Sequence, residues 1–203
     1  MIDASLPITL LFMQKDRLVI DIETKNSFAD VGGQDKVRNL DCSLIGVYSY
    51  NENRFLSVRE GHFDELAAML REAGCIVGFS INRFDIPVME KYYDFDLFAI
   101  PRIDLLEEIE NRLGRRVSLD LLARENLKIG KTGHGLDAIK YYAAGDWEAL
   151  EKYCLQDVLI TRDLYDLAMK QKYLMVPDKW GAPRKVELIL KEPVMEKAPN
   201  TLF

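Results

Sequence analysis

Cysteine is scarce in this 203-residue chain, and its cysteines do not cluster. Cys42, Cys75 and Cys154 are odd in number, far apart and without a CxxC pair. That argues against a disulfide framework and against a structural zinc site. Two histidines, His62 and His134, are too few for a histidine-based metal centre. Long apolar runs are missing as well. The N-terminal stretch Leu6–Met13 is much shorter than the roughly 18 residues of a membrane span, and no Lys or Arg precedes it as a signal peptide would require. Nor is there an excess of positive charge. Lys and Arg number 27 against 33 Asp and Glu, a net charge of −6. This disfavours a whole-surface grip on nucleic acid but allows a local basic groove. These absences predict a soluble cytoplasmic protein with no membrane partner.

What is present is ordinary for a globular chain, with 48% hydrophobic and 30% charged residues and no internal repeat. The length suits one domain with a sizeable core. Leu18–Glu23 is β-branched and nearly continuously apolar, as a buried strand should be. A polar loop from Thr24 to Leu40 contains Gly32-Gly33. Strands are predicted at Leu44–Tyr50 and Arg54–Val58, separated by the turn residues Asn51-Glu52-Asn53. A helix from Gly61 to about Ala73 follows, then a strand at Cys75–Phe79 and a short helix from Asp85 or Ile86 to Tyr93. A fifth strand within Ala99–Leu105 is constrained to an edge or a strand start by Pro101. Helices are expected at Leu105–Leu113, Ser118–Asn126 and Leu136–Tyr142. Asp146 reads as the N-cap of a long helix reaching about Lys170. Three short-linked strands should be antiparallel, and the later ones need helical crossovers. The expected fold is α/β, a mixed central sheet with helices on both faces. Residues 1–173 form the domain, and residues 174–203 form an extension with a hairpin-like segment at Leu174–Leu190 and a loose tail.

Three acidic features stand out. Alternation along the first strand puts Val19, Asp21 and Glu23 on one face, opposite Leu18, Ile20 and Ile22. Two carboxylates then share a face near the strand's carboxyl end, where α/β sheets bind ligands. Buried together they need raised pKa values or a cation between them; alternatively the strand simply ends there in water. In the long helix, Trp147, Leu150, Cys154, Val158, Thr161, Leu164, Tyr165 and Ala168 form the inward stripe, and Asp157 falls within it or at its border. Tyr153 lies one turn before Asp157 on the same face. Asp85 ends Asn82-Arg83-Phe84-Asp85, and ahead of Ile86-Pro87 it reads by itself as an N-cap. Taken together, these acids offer the oxygen ligands that Mg²⁺ prefers, and two such ions can promote phosphodiester hydrolysis.

The ordered set Asp21-Ile22-Glu23-Thr24, Asn82-Arg83-Phe84-Asp85 and Tyr153-x-x-x-Asp157 resembles the three motifs of the DEDD-superfamily 3′–5′ exonucleases, which have a ribonuclease H-like fold. The resemblance spans roughly Arg17 to Tyr173 and is nearest to the predicted ribonuclease H-like exonucleases found beside helicases. One branch of that superfamily places a His five residues before the last Asp, where this chain has Lys152. The other places a Tyr four before it, where this chain has Tyr153, so the sequence resembles the tyrosine (DEDDy) branch. The resemblance implies that Asp21, Glu23 and Asp157 hold a first Mg²⁺ or Mn²⁺, that Asp21 bridges to a second ion supported by Asp85, and that Tyr153 orients the attacking water. It places Thr24, Asn82 and Phe84 near the 3′-terminal nucleotide. The implied partner is a single-stranded DNA or RNA 3′ end, with a helicase or other processing protein as a further candidate.

Lys25, Arg83, Lys128, Lys131 and Lys140 are candidates for meeting phosphates, and the Thr24–Leu40 loop is a candidate substrate contact. Two other readings stay open. One is a non-catalytic nucleic-acid or partner-binding module of the same fold. The other is a hydrolase of short oligonucleotides, with which the net charge of −6 is compatible because a small substrate needs less basic surface.

Overall fold

The computed structural model describes residues 15–129, 135–178 and 180–191. The expectations placed on Leu6–Met13, Lys131, His134 and the tail prolines Pro193 and Pro199 lie outside those residues.

The apolar run at the start of the domain forms β1 (Asp16–Thr24), and β2 (Cys42–Ser49) and β3 (Arg54–Arg59) follow it. β1 pairs antiparallel with β2, and β2 with β3. β4 (Ala73–Gly78) lies parallel to β1 on its other side, and the short β5 (Arg102–Asp104) lies parallel to β4. The sheet order is therefore β3-β2-β1-β4-β5, with β1 central. This is the mixed α/β sheet that the strand order predicts.

Helices cover both faces. α1 (Ala67–Glu72) and α2 (Asp85–Met89) belong to one side. There Leu18, Ile20 and Ile22 join Ile45, Val47, Ile76, Leu70 and Met89 in one buried cluster. α3 (Leu105–Leu113), α4 (Leu119–Leu127), α5 (Gly135–Ala143) and the 25-residue α6 (Trp147–Gln171) follow in the chain. Val19, Tyr48, Cys75 and Val77 pack in a second cluster with Leu122 of α4 and Val158, Leu164 and Tyr165 of α6. Each fully buried aliphatic side chain contributes about 1.5–3 kcal/mol, so the alternation along β1 anchors both layers at once.

Capping chemistry sets several boundaries. Asp146 accepts from the Ala149 N–H at 3.0 Å and starts α6, while Lys172 ends it in the left-handed conformation. Asp104 caps α3, and Ser118 caps α4. Three elements are shorter than their sequence patterns suggest, and one of them, α2, gives way to a 3-10 turn at Glu90–Tyr92. The stretch from Gly61 to Ala73 divides into a 3-10 turn at Phe63–Leu66 and the brief α1, because Ala73 is drawn into β4 opposite Asp16. The fifth strand contracts to Arg102–Asp104, since Leu97–Ala99 forms a 3-10 turn and Leu105 already begins α3.

After α6, β6 (Tyr173–Pro177) and β7 (Pro183–Glu187) form an antiparallel hairpin. Its Leu174, Val176, Val186 and Leu188 belong to the same core as α4 and α6. None of the described helices is long and apolar enough to cross a membrane.

Candidate active site

Past Val19, β1 presents carboxylates to α6 where it previously presented aliphatic side chains. Glu23 is buried and Asp21 half-buried. Directly opposite Asp21 in the ladder is Gly46 of β2. A Cβ at Gly46 would lie 2.7 Å from the Cys154 sulfur and 3.0 Å from a Val158 methyl. The missing side chain therefore lets α6 settle onto the sheet at this point, a close backbone approach of the kind an in-strand glycine signals. Cys154 fills the space, with its sulfur 3.5 Å from the Asp21 carbonyl oxygen and 3.7 Å from Asp21 Oδ2. Ligand atoms of Asp21, Glu23 and Cys154 all fall within 4.8 Å of one another.

Asp157 follows Cys154 by three residues, so both lie on the inward face of α6, and it is buried. The charges of Asp21, Glu23 and Asp157 all bear on the Cys154 thiol. Burial first, then those three charges, hold its pKa well above the ordinary thiol value. Cys154 is thus a protonated thiol among carboxylates. Tyr153 is also buried, with its ring 6.5 Å from that of Tyr141 on α5.

Asp85 arrives from the opposite side of β1. The ladder between β1 and β4 reaches Val19 and Val77, and beyond it the Ile22 N–H donates to Asp85 Oδ1 at 3.2 Å. The carboxylate thus binds the backbone of β1 between Asp21 and Glu23. Taken by itself Asp85 reads as an N-cap, but it does not hold that position. Phe84 occupies the cap position, without a side-chain cap bond, and Asp85 is the first helical residue. Its pKa is pushed up to about 7, chiefly by burial, with the charges of Asp104 and Asp157 adding to the effect and backbone N–H bonds opposing it.

The turn carrying Asp85 is itself held. Ser80 adopts φ 71°, unusual for a residue other than glycine. Asp104 at the end of β5 accepts from Ser80 N at 2.9 Å, Asn82 N at 3.1 Å and Leu106 N at 3.0 Å. One buried carboxylate therefore fixes this turn and caps α3 together.

Of the residues expected near a substrate, Thr24 is buried at the end of β1, and its hydroxyl donates to the Asn26 carbonyl at 2.8 Å. Phe84 is half-buried and meets Phe28 edge-on, with ring centroids 5.9 Å apart. Asn82 has its amide engaged elsewhere, donating to Glu107 at 2.5 Å and accepting from Arg102 at 2.9 Å. Among the basic candidates, Lys25 pairs with Glu60, Arg83 with Glu110, and Lys140 with Asp137, while Lys128 donates to the Glu125 carbonyl.

Sequence reasoning overlooked four contributors here. Gly46 was detectable as a glycine inside a strand pattern. Phe28 was detectable as an aromatic in a polar loop. Cys154 reads as core until Asp21 is seen beside it. Asp104 is an acid at a strand end that no motif marks.

Compared with known proteins, residues 18–169 match the profile of the RNase_H_2 family, of the RNase_H superfamily. No curated protein matches the sequence. Among solved structures, the fold resembles part of the family B DNA polymerase from the hyperthermophilic archaeon Pyrobaculum calidifontis, with a TM-score of 0.55 at 18% identity. The alignment covers 76% of this chain but 24% of that polymerase, so the likeness concerns one portion of a much larger protein.

Proposed function

The chain belongs to the RNase_H superfamily, and on that premise we propose that it is a divalent-metal-dependent 3′–5′ exonuclease acting on single-stranded nucleic-acid ends. The observation that carries this reading is the gathering of four acids from three elements around one strand end. Asp21 and Glu23 come from β1, Asp157 projects from α6, and Asp85 is bonded to the Ile22 N–H between the first two.

The donor set fits hard cations. Asp21 and Glu23 supply two of the three ligand atoms that lie within 4.8 Å of one another, Asp157 and Asp85 lie outside that close group, and Asp85 has a raised pKa of the kind that a neighbouring divalent cation reverses. Asp21, Glu23 and Asp157 would hold one Mg²⁺ or Mn²⁺, and Asp21 with Asp85 would hold a second. When bound, such ions supply an acidified water and neutralise charge on the scissile phosphodiester. The chain's own residues do the rest. Tyr153 directs its hydroxyl at the attacking water and sets its line of approach. Phe84, braced by Phe28, offers a face to the terminal base, and stacking of this kind tolerates any sequence. Thr24 borders the same end of β1. Asn82, its amide already committed, acts through the turn it stabilises.

The test is a degradation time course on 5′-labelled single-stranded DNA and RNA of equal sequence, with Mg²⁺ or Mn²⁺, comparing wild type with Asp157→Ala. A ladder shortening from the 3′ end and lost in the variant is expected. Intact strands of both kinds with both metals would overturn the reading.

A further inference from the structure

The described basic residues expected to meet phosphates, Lys25, Arg83, Lys128 and Lys140, are already matched by carboxylates or a carbonyl. A second group has no carboxylate partner among the described residues. Arg115 and Arg116 lie in the loop between α3 and α4, and Arg184 and Lys185 lie on β7. Arg115 donates to the Pro177 carbonyl of the hairpin. Arg116 donates to Ser80 Oγ at 3.1 Å, and the Lys185 ammonium sits 4.4 Å from the centre of the Tyr173 ring. None of the four pairs with a carboxylate among the described residues. Two carboxylates lie near them: Asp178 at the hairpin turn is engaged by the N–H groups of Trp180 and Ala182, and Glu187 lines a neighbouring pocket with Arg184 and Lys185 without pairing with either. The turn presents Trp180 with 80% of its surface exposed. Between Trp180, Arg184, Arg115 and Pro177 runs a groove of about 210 Å³.

We propose that the hairpin and the α3–α4 loop form a binding surface for single-stranded nucleic acid, which holds the strand upstream of the 3′ end. This rests on the exonuclease reading and assigns its substrate class as extended strands rather than isolated dinucleotides. Guanidinium and ammonium groups without carboxylate partners match phosphates, and an exposed indole matches an unstacked base. In a chain of net charge −6, such a group is the local basic surface that a polyanion requires. Arg116, next to Arg115 of the groove, links it to the acids by holding Ser80 in the turn that leads to Asp85. A strand lying across Trp180 and Arg184 passes Arg116 before its end reaches that turn.

The test compares wild type, Trp180→Ala, and Arg184→Glu combined with Lys185→Glu, all exposed positions. Binding of fluorescent oligothymidylate and oligouridylate of about 4 and about 16 nucleotides is measured in EDTA over a salt series, and turnover is measured separately with Mg²⁺ or Mn²⁺. For the long strand, the charge-reversed variant should bind at least about tenfold more weakly, with the salt slope reduced by about 1.4 for two lost phosphate contacts. Trp180→Ala should weaken it at least about fivefold. Binding and turnover of the short strand should stay at wild-type levels. Unchanged long-strand binding in both variants, or equal losses for both lengths, would overturn the proposal. Wild-type protein that binds long strands through these residues but cleaves nothing would instead sink the exonuclease reading and leave the surface standing.

Discussion

The two faces of β1 are built from alternate residues of one strand, yet they are put to opposite use. Leu18, Ile20 and Ile22 are all nearly inaccessible and pack continuously beneath α1 and α2. On the other face only Val19 is treated that way, and Asp21 and Glu23 then interrupt the packing beneath α6. The apolar face gains stability from every side chain. The acidic face forgoes that gain at two positions and brings a helix carrying a further buried acid, Asp157, over them. Gly46 makes the approach possible, because any larger residue would meet Cys154 and Val158. The contrast separates residues that hold the fold from residues that the fold holds in place.

The largest effect should come from the acidic face. Asp21→Ala should lower metal-dependent turnover by at least about a thousandfold, the several kcal/mol of charge stabilisation at stake in such a site. Urea unfolding in EDTA should show the variant at least as stable as wild type, since a carboxylate has been taken from an acidic cluster. The neighbouring substitution Ile20→Ala should do the reverse. It should cost about 2–5 kcal/mol of stability, while the protein that remains folded keeps its turnover per molecule.

Gly46→Ala should sit between these extremes. Overpacking against Cys154 and Val158 should cost about 1–3 kcal/mol and reduce turnover by displacing α6 from Asp21. Adding Cys154→Ala removes the nearer clash. A double-mutant cycle should therefore show a favourable coupling in both stability and turnover, and strict additivity would mean the two residues do not set the approach.

The smallest effect is a pH dependence. Asp85 has a folded-state pKa near 7 against an ordinary value of 3.8. The folded state thus holds this proton more tightly than the unfolded state does. Its contribution to stability is present below about pH 4 and declines as pH rises through about 7. In EDTA, denaturant midpoints should fall between pH 5 and 7, and Asp85→Asn should flatten that fall. Saturating Mg²⁺ should flatten it as well, by compensating the same charge. A slope unchanged by Asp85→Asn would assign the effect to other groups.

Much of the fold was legible because local chemistry and tertiary packing agreed. The alternation in Leu18–Glu23, the apolar face of Leu105–Leu113 and the Asp146 cap each specify an element without outside help. Two of the exceptions fail for one shared reason. β5 has three ladder partners, and Ala73 leaves the helical pattern only because Asp16 lies beside it. Such boundaries are set by strand pairing across long sequence separations. Asp85 is the sharpest case in the candidate site. By itself it reads as a cap, and its actual bond is to Ile22, 63 residues away.

The sequence by itself determined which residues alternate, where the long helix starts, and which acids are chemically conspicuous. Those are properties of spacing and side-chain type, and they survive without knowledge of any neighbour. Only the tertiary structure decided that Gly46 lets α6 approach Asp21, that Asp104 fixes the turn before Asp85, and that Arg116 ties the hairpin side of the molecule to that turn. Each depends on two segments meeting in space. Short-range bonding and close packing act only at contact, and the folded chain alone establishes which contacts exist.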